Sequence, residues 1–180
     1  MASALLRARL ERSGVHASVS SAGLLYDGEP ASPGAVEALR RRGIDLLDHR
    51  SRILRAEHLA DAELVLAMAR MHVREAAVLD RDALSRTFTL KEFVRRGQAA
   101  GPPSEAAMGA WITRLSSDRR TNELLGESSV DDVIDPIGRP LAHYERTATE
   151  LSHLIDHVVE LIPALRPVDT AVRDWEGWPV

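Results

Sequence analysis

The sequence predicts an α/β domain in which a parallel sheet carries helices packed on its faces. Helix-like and strand-like stretches alternate along the chain, which is the signature of parallel-sheet proteins. The run Ala62 to Met68 (AELVLAM) resembles a buried strand, although its length also suits a helix. From Leu141 onward, apolar residues recur at alternating spacings of three and four, as on a helix laid against a sheet.

The elements follow in order. Ala2 to Ser13 reads as a helix, with Leu6 and Leu10 one turn apart and Gly14 as its stop. Val15 to Ser20 is short, partly β-branched and bounded by Gly14 and Gly23, which predicts a strand. Ser32-Pro33 is a helix start: the serine is a capping residue, and proline suits the first helical position because its missing N–H has no intrahelical partner there. That helix carries Val36 and Leu39 on one face and ends at Gly43. After the AELVLAM strand, Val73 to Leu79 reads as a helix and Arg86 to Leu90 (RTFTL) as a short strand. Gly97 to Ser104 is a loop by composition, Glu105 to Arg119 a helix, and Thr121 to Asp132 a polar loop. Behind Pro140, the series Leu141, Tyr144, Ala148, Leu151, Ile155, Val158, Ile162 and Leu165 predicts a long helix. Its stripe fits a core-facing helix, and a coiled-coil partner surface would show the same pattern. Residues 1–166 are expected to form the domain. Residues 167–180 are then a tail whose Trp175 and Trp178 either cover an apolar patch or stay disordered.

Composition bounds the function. The 180 residues are 44% hydrophobic and 28% charged, ordinary globular usage for one domain. Aromatics at 4% leave a core of Leu, Val, Ile and Ala. A net charge of −4 weighs against a nucleic-acid partner. No apolar run reaches the roughly 18 residues of a membrane span, and no basic-then-apolar signal opens the chain, so a cytoplasmic, membrane-free protein is expected. With no cysteine, the chain has no disulfide, no Cys-ligated zinc site and no thiol nucleophile. No H-E-x-x-H, glycine-rich phosphate loop or dinucleotide fingerprint occurs, so neither a metal nor a cofactor is expected. Of the seven histidines, His153 and His157 stand one turn apart but off the apolar stripe, on a solvated face.

Three stretches hold candidate chemistry. Ser20-Ser21-Ala22-Gly23 follows a predicted strand, at the sheet edge where ligands bind in open α/β folds; an ordinary strand-to-loop exit reads the same way. Asp48-His49-Arg50-Ser51-Arg52 is a polar turn, or a histidine and arginines that order a hydrogen-bond network or attract an anion. Asp131-Asp132-Val133-Ile134-Asp135-Pro136 is a turn, or a carboxyl fixed over a pocket as a general acid, with nearby carboxylates helping to keep it protonated.

Together and in order, the segments MASALLRARLERSGV, SSAG, GEPASPGAVEALRRRGIDLLDHRSRIL, ADAELVLAM, RTFTLKEF and DDVIDPIGRPLAHYERTATEL resemble the low-molecular-weight protein-tyrosine-phosphatase family, from Met1 to about Leu165. The resemblance implies a flavodoxin-like domain with four parallel strands in the order 2-1-3-4. It also implies a Cys-x5-Arg-Ser loop that cradles phosphate between the first strand and the first helix. The cysteine attacks phosphorus to form a phosphocysteine, and an aspartic acid before proline protonates the leaving group, then activates water. Carried over by matching motif, Asp135 with Pro136 is the general acid/base, and Ser21 and His49 brace the phosphate loop. Tyr26 falls near a pocket-wall aromatic. Ile137-Gly138 stands where an aromatic often follows the Asp-Pro pair, which weakens the case for phosphotyrosine. Met1-Ala2 resembles the residues just after the loop, so the central strand, nucleophile and phosphate-binding arginine are expected to be missing from these residues. The implied substrates are phosphotyrosine proteins or small aryl phosphates once a loop is restored; the chain itself is expected to be inactive, and unpaired strands could pair between copies. A non-catalytic, partner-binding pseudophosphatase is the alternative. An arsenate reductase, which needs several cysteines, fits less well.

Overall fold

A computed structural model of the chain describes residues 1–103 and 108–162. Its helices are α1 (Ala2–Arg12), α2 (Pro33–Arg40), α3 (Ala56–Ala60), α4 (Arg70–Leu79), α5 (Leu90–Ala100), α6 (Met108–Ser116) and α7 (Leu141–Leu161), and its strands are β1 (Val65–Ala67) and β2 (Thr87–Thr89). The two strands pair in parallel, Val65 opposite Thr87, Leu66 opposite Phe88 and Ala67 opposite Thr89.

The period-two geometry of a strand explains why helices lie on both faces. Leu64, Leu66 and Met68 pack on one side, against the main core built from α1, α2, α5, α6 and α7. Val65 faces the other way, toward Leu59 of α3, Ala76 of α4 and Ala83, while Ala67 meets Val73 and Leu124. Both phenylalanines of the chain sit in the main core. Phe88 and Phe93 meet edge to face at 5.7 Å, and Phe93 meets Trp111 likewise at 5.8 Å. Buried Glu92 accepts hydrogen bonds from Arg96 and from Arg119, whose guanidinium lies 4.6 Å over the Phe88 ring, and so ties α5 to the end of α6.

The periodic helix near the end is core-facing. Tyr144, Ala148, Leu151, Ile155 and Val158 are buried as the stripe requires, and Thr147, Val159 and Leu161 widen it. Its face is covered by α1, α2 and α5 of the same chain, which leaves no seam for a coiled-coil partner along that stripe. Ile162 lies just past the helix end; Leu165 and the Trp-bearing tail fall outside the described residues, as do Ser104 and Glu105 at the junction before α6. Among the described residues, no helix is long and apolar enough to cross a membrane.

Five expectations are corrected. Val15 to Ser20 is extended but forms no strand: the carbonyls of Val19 and Ser21 accept guanidinium N–H groups from Arg7 and Arg52 instead of backbone donors from a neighbouring strand. The sheet therefore has two strands among the described residues. Leu90 opens α5 rather than closing a strand, because the Thr89 hydroxyl accepts the Glu92 N–H at 3.1 Å and caps the helix. The helix then runs through Gly97, expected to be loop, and stops at Gly101, whose φ of +72° suits glycine. Thr121 to Asp132 includes a 3-10 turn at Thr121–Leu124. At α2, Pro33 takes the first turn as expected, while the Ser32 side chain makes no capping bond.

Gly34 shows how closely α2 meets α7. A Cβ there would lie 2.5 Å from the Tyr144 ring carbons, whereas one at Gly109 meets nothing within 4 Å. Gly34→Ala should lower unfolding free energy by about 1–3 kcal/mol, and Gly109→Ala should leave it unchanged or raise it by about 0.5–1 kcal/mol, as read from urea denaturation midpoints.

Candidate active site

The Asp-Pro segment is held from several sides by groups that precede it far back in the chain. Asp131 is buried. Its Oδ2 accepts Nε–H and Nη2–H of Arg70 at 2.9 and 2.7 Å, and its Oδ1 accepts Nη1–H of Arg95 at 2.7 Å. Burial pushes the Asp131 pKa up, but hydrogen bonds and charge from Arg95 and Arg70 outweigh it and leave the group below the usual carboxylate range. Asp132 accepts the backbone N–H of Arg70, the first residue of α4, and that of Ser128, each at 2.8 Å. A carboxylate at a helix start is favoured by the unpaired N–H groups and the helix dipole. Lys91 donates to the Asp132 carbonyl at 2.7 Å, the Val133 N–H donates to the Met68 carbonyl beyond β1 at 2.8 Å, and the Thr147 hydroxyl donates to the Ile134 carbonyl at 3.3 Å.

Asp135 stands at the exposed tip of this anchored segment. Its Oδ1 accepts the Ile137 N–H at 3.0 Å, and the turn closes through the Arg139 N–H to the Pro136 carbonyl at 2.9 Å, with Gly138 at a φ of +73°. Pro136 is buried, which fixes the chain direction behind the carboxyl. Asp131 and Asp132, expected to crowd Asp135 with charge, are instead spent on arginines and backbone N–H groups. His72 on α4 lies within reach of the charges of Asp132 and Asp135; burial lowers its pKa more than they raise it.

Ser21 and His49 share no hydrogen bond with the Asp135 segment among the described residues; the Met1 amino group at the start of α1 lies within charge range of His49. The Ser21 carbonyl is held by Arg52 at 3.3 and 3.2 Å. His49 is half-buried. Burial lowers its pKa first, followed by the charges of the Met1 amino group, Arg50, Arg52 and Arg7. Among the described residues no hydrogen bond joins the Ser21 hydroxyl to the His49 ring. Tyr26 is 63% exposed on a loop pinned to the 50–54 segment by Gly23 N–H to Arg52 O at 2.7 Å and Gly28 N–H to Ser51 O at 2.9 Å. Among the described residues, no group of three or more His, Asp or Glu side chains is placed to hold a metal.

Sequence reading singled out Asp135 and missed the residues that hold the segment before it, Arg70, Lys91 and Arg95. A partial signal existed, because Lys91 and Arg95 are one turn apart and so share a helix face. The model of low molecular weight phosphotyrosine protein phosphatases matches residues 1–101. The chain belongs to that family. A protein-arginine-phosphatase of Bacillus subtilis (strain 168) is 31% identical over 156 residues, 86% of this chain and 82% of that protein. The crystal structure of a low molecular weight protein tyrosine phosphatase from T. tengcongensis is 35% identical, covering 88% of this chain and 87% of that one with a TM-score of 0.66. A mutant of YwlE arginine phosphatase with a phosphorylated active site serine is 31% identical, covering 88% and 84%, with a TM-score of 0.67. These similarities confirm the α/β fold with helices around a small, open parallel sheet.

Asp131→Ala should destabilise the domain by about 3 kcal/mol, because it strands the Arg70 guanidinium in a mostly buried site. The sign of the pH dependence follows from the lowered native pKa: the unfolded chain binds the proton more readily, so stability rises with pH through this range. The difference between parent and variant should be full above the ordinary aspartate pKa. It should shrink as pH falls through the lower native value, as followed by denaturation at stepped pH.

Proposed function

We propose that this chain supplies the proton-transfer arm of a phosphoprotein phosphatase, with Asp135 as general acid when the leaving group departs and as general base for the water that follows. The anchored loop carries this reading. Its backbone is tied to β1, α4, α5 and α7, yet the Asp135 carboxyl is left exposed, with one oxygen oriented by the Ile137 N–H. A proton donor needs that combination of fixed direction and open access. Ser21 and His49 serve as braces for a phosphate-binding loop, and Tyr26 as a wall of the pocket.

Phosphocysteine chemistry needs a thiolate, and the 180 residues hold no cysteine. On this reading they turn over no phosphomonoester by that route until joined to a Cys-x5-Arg-Ser loop and its strand. The substrate is a phosphorylated protein side chain, in the cytoplasm. Ile137, 65% exposed beside the acid, offers an apolar wall without an aromatic face. That suits phosphoarginine, after which the Bacillus relative is named, at least as well as phosphotyrosine.

Turnover of p-nitrophenyl phosphate by the 180-residue chain should equal background. With a family strand and Cys-x5-Arg-Ser loop joined ahead of Met1, turnover should appear, and Asp135→Asn should then lower kcat by about 10²–10⁴-fold, most for poor leaving groups. Undiminished kcat in Asp135→Asn would remove Asp135 from the mechanism. Comparing kcat/KM on phosphoarginine and phosphotyrosine peptides decides the substrate side chain.

A further inference from the structure

The extended run that leads from Val15 to Gly23 has two unlike edges. The Val19 and Ser21 carbonyls accept guanidinium N–H groups from Arg7 and Arg52. Gly23 donates its N–H to the Arg52 carbonyl and accepts the Leu54 N–H, each at 2.7 Å. On an extended chain the backbone groups of alternate residues point to the same edge. Positions 19, 21 and 23 therefore face Arg7, Arg52 and the 52–54 segment, and positions 16, 18, 20 and 22 face the opposite edge. Among the described residues, no backbone N–H or carbonyl of His16, Ser18, Ser20 or Ala22 has a hydrogen-bond partner, and all four residues are exposed. Side chains alternate as well. Val15 and Val19 pack in the apolar cluster of Leu10 and Val159, and Ser18 and Ser20 are left to solvent.

An open edge of this kind is a template for another strand, and proteins usually block it with a lysine, a proline or a bulge. From His16 to Gly23 the run HASVSSAG holds no Asp, Glu, Lys, Arg or Pro. That lack of charge favours a second copy of this chain as the occupant. Two identical segments meet with no like charges opposed, and a twofold axis repeats every bond. With Val19 on the axis of an antiparallel pair, Ser18 of one copy lies opposite Ser20 of the other. Each such pair exchanges both of its N–H···O=C bonds. The serine hydroxyls face each other across the strands, and the two Val19 side chains meet at the closer, non-hydrogen-bonded position, with Cα atoms about 4.5 Å apart.

We propose that the free edge of residues 16–22 pairs antiparallel with the same edge of a second copy, joining two chains about a twofold axis at Val19. The pairing uses no group of the Asp135 segment and holds whether or not Asp135 is a general acid.

Sedimentation velocity of the 180-residue chain over a dilution series should show a reversible shift from the mass of one chain to that of two as concentration rises. Amide exchange at Ser18 and Ser20 should slow in step with it, because the described chain offers those N–H groups no acceptor. Ser18→Lys/Ser20→Lys sets like charges opposite each other and should keep the chain monomeric. Ser18→Lys/Ser20→Glu sets opposite charges across the axis and should restore the dimer. Both positions are exposed, so these variants should fold as the parent does, which far-UV circular dichroism checks. Val78→Lys, at an exposed position of α4 outside the segment, should leave the dimer unchanged. A monomer at every concentration overturns the pairing, as does a dimer undiminished in a folded Ser18→Lys/Ser20→Lys variant. A Ser18→Lys/Ser20→Glu variant that stays monomeric overturns the register centred on Val19.

Discussion

The clamp of Arg70 and Arg95 on the Asp131 carboxylate is the interaction on which the candidate site depends. It joins the segment before Asp-Pro to the first turn of α4 and to the middle of α5. Two arginines competing for one buried carboxylate gain Coulomb energy, but all three ions lose hydration. A clamp of this kind therefore adds less to net stability than its short bonds suggest. It does set direction: two N–H groups of Arg70 on one carboxylate oxygen and one of Arg95 on the other admit few orientations of the carboxylate, and the chain that follows inherits that restriction.

The sheet conveys position to this clamp with almost no slack. β1 ends at Ala67 and α4 begins at Arg70, while β2 ends at Thr89 and α5 begins at Leu90. Both helix starts are thus placed by the parallel register of two three-residue strands. Arg70 meets the acid loop with its side chain and its backbone N–H, and Lys91 meets it one residue into α5. The helices on either face, with the Phe88, Phe93 and Trp111 cluster on one of them, supply most of the burial around these short strands. This is the carboxyl-terminal edge of a parallel sheet, where open α/β proteins generally assemble their sites.

What was legible in the sequence follows the range of the interactions involved. Helices α1, α2, α4 and α7 announce themselves through local spacing, prolines and glycines, and α7 buries the residues its stripe names. Asp135 is legible because an aspartate before a proline is a local pattern. Its supports are not, since Arg70 and Arg95 reach Asp131 across 61 and 36 residues, and no periodicity encodes a contact of that kind. Leu90 reads as strand for a related reason: an alternating TFTL run looks the same whether the strand continues past its last threonine or that threonine, still in β2, caps the next helix. The segment at Val15 to Ser20 has the composition of a strand but forms none, because strand status belongs to the neighbour that supplies the donors. Here arginine side chains supply them.

On the proposed reading, the magnitude of acid catalysis makes Asp135 one part of a larger site. A well-placed proton donor contributes about 10²–10⁴-fold, whereas hydrolysis of phosphate monoesters is among the slowest reactions that enzymes accelerate, by up to about 10²¹-fold. Most of the barrier must fall to a nucleophile and to donors aimed at the charge on the transferring group. Arg7 and Arg52 are tied to the Val19 and Ser21 carbonyls, while Asp135 is presented by a loop fixed to α4, α5 and α7, and the 180 residues hold no cysteine. On the proposed reading, a loop that both cradles a phosphoryl group and carries the attacking sulfur is the component with which the Asp135 carboxyl works. The stiffness of the Asp135 mounting is the feature that such a loop would exploit.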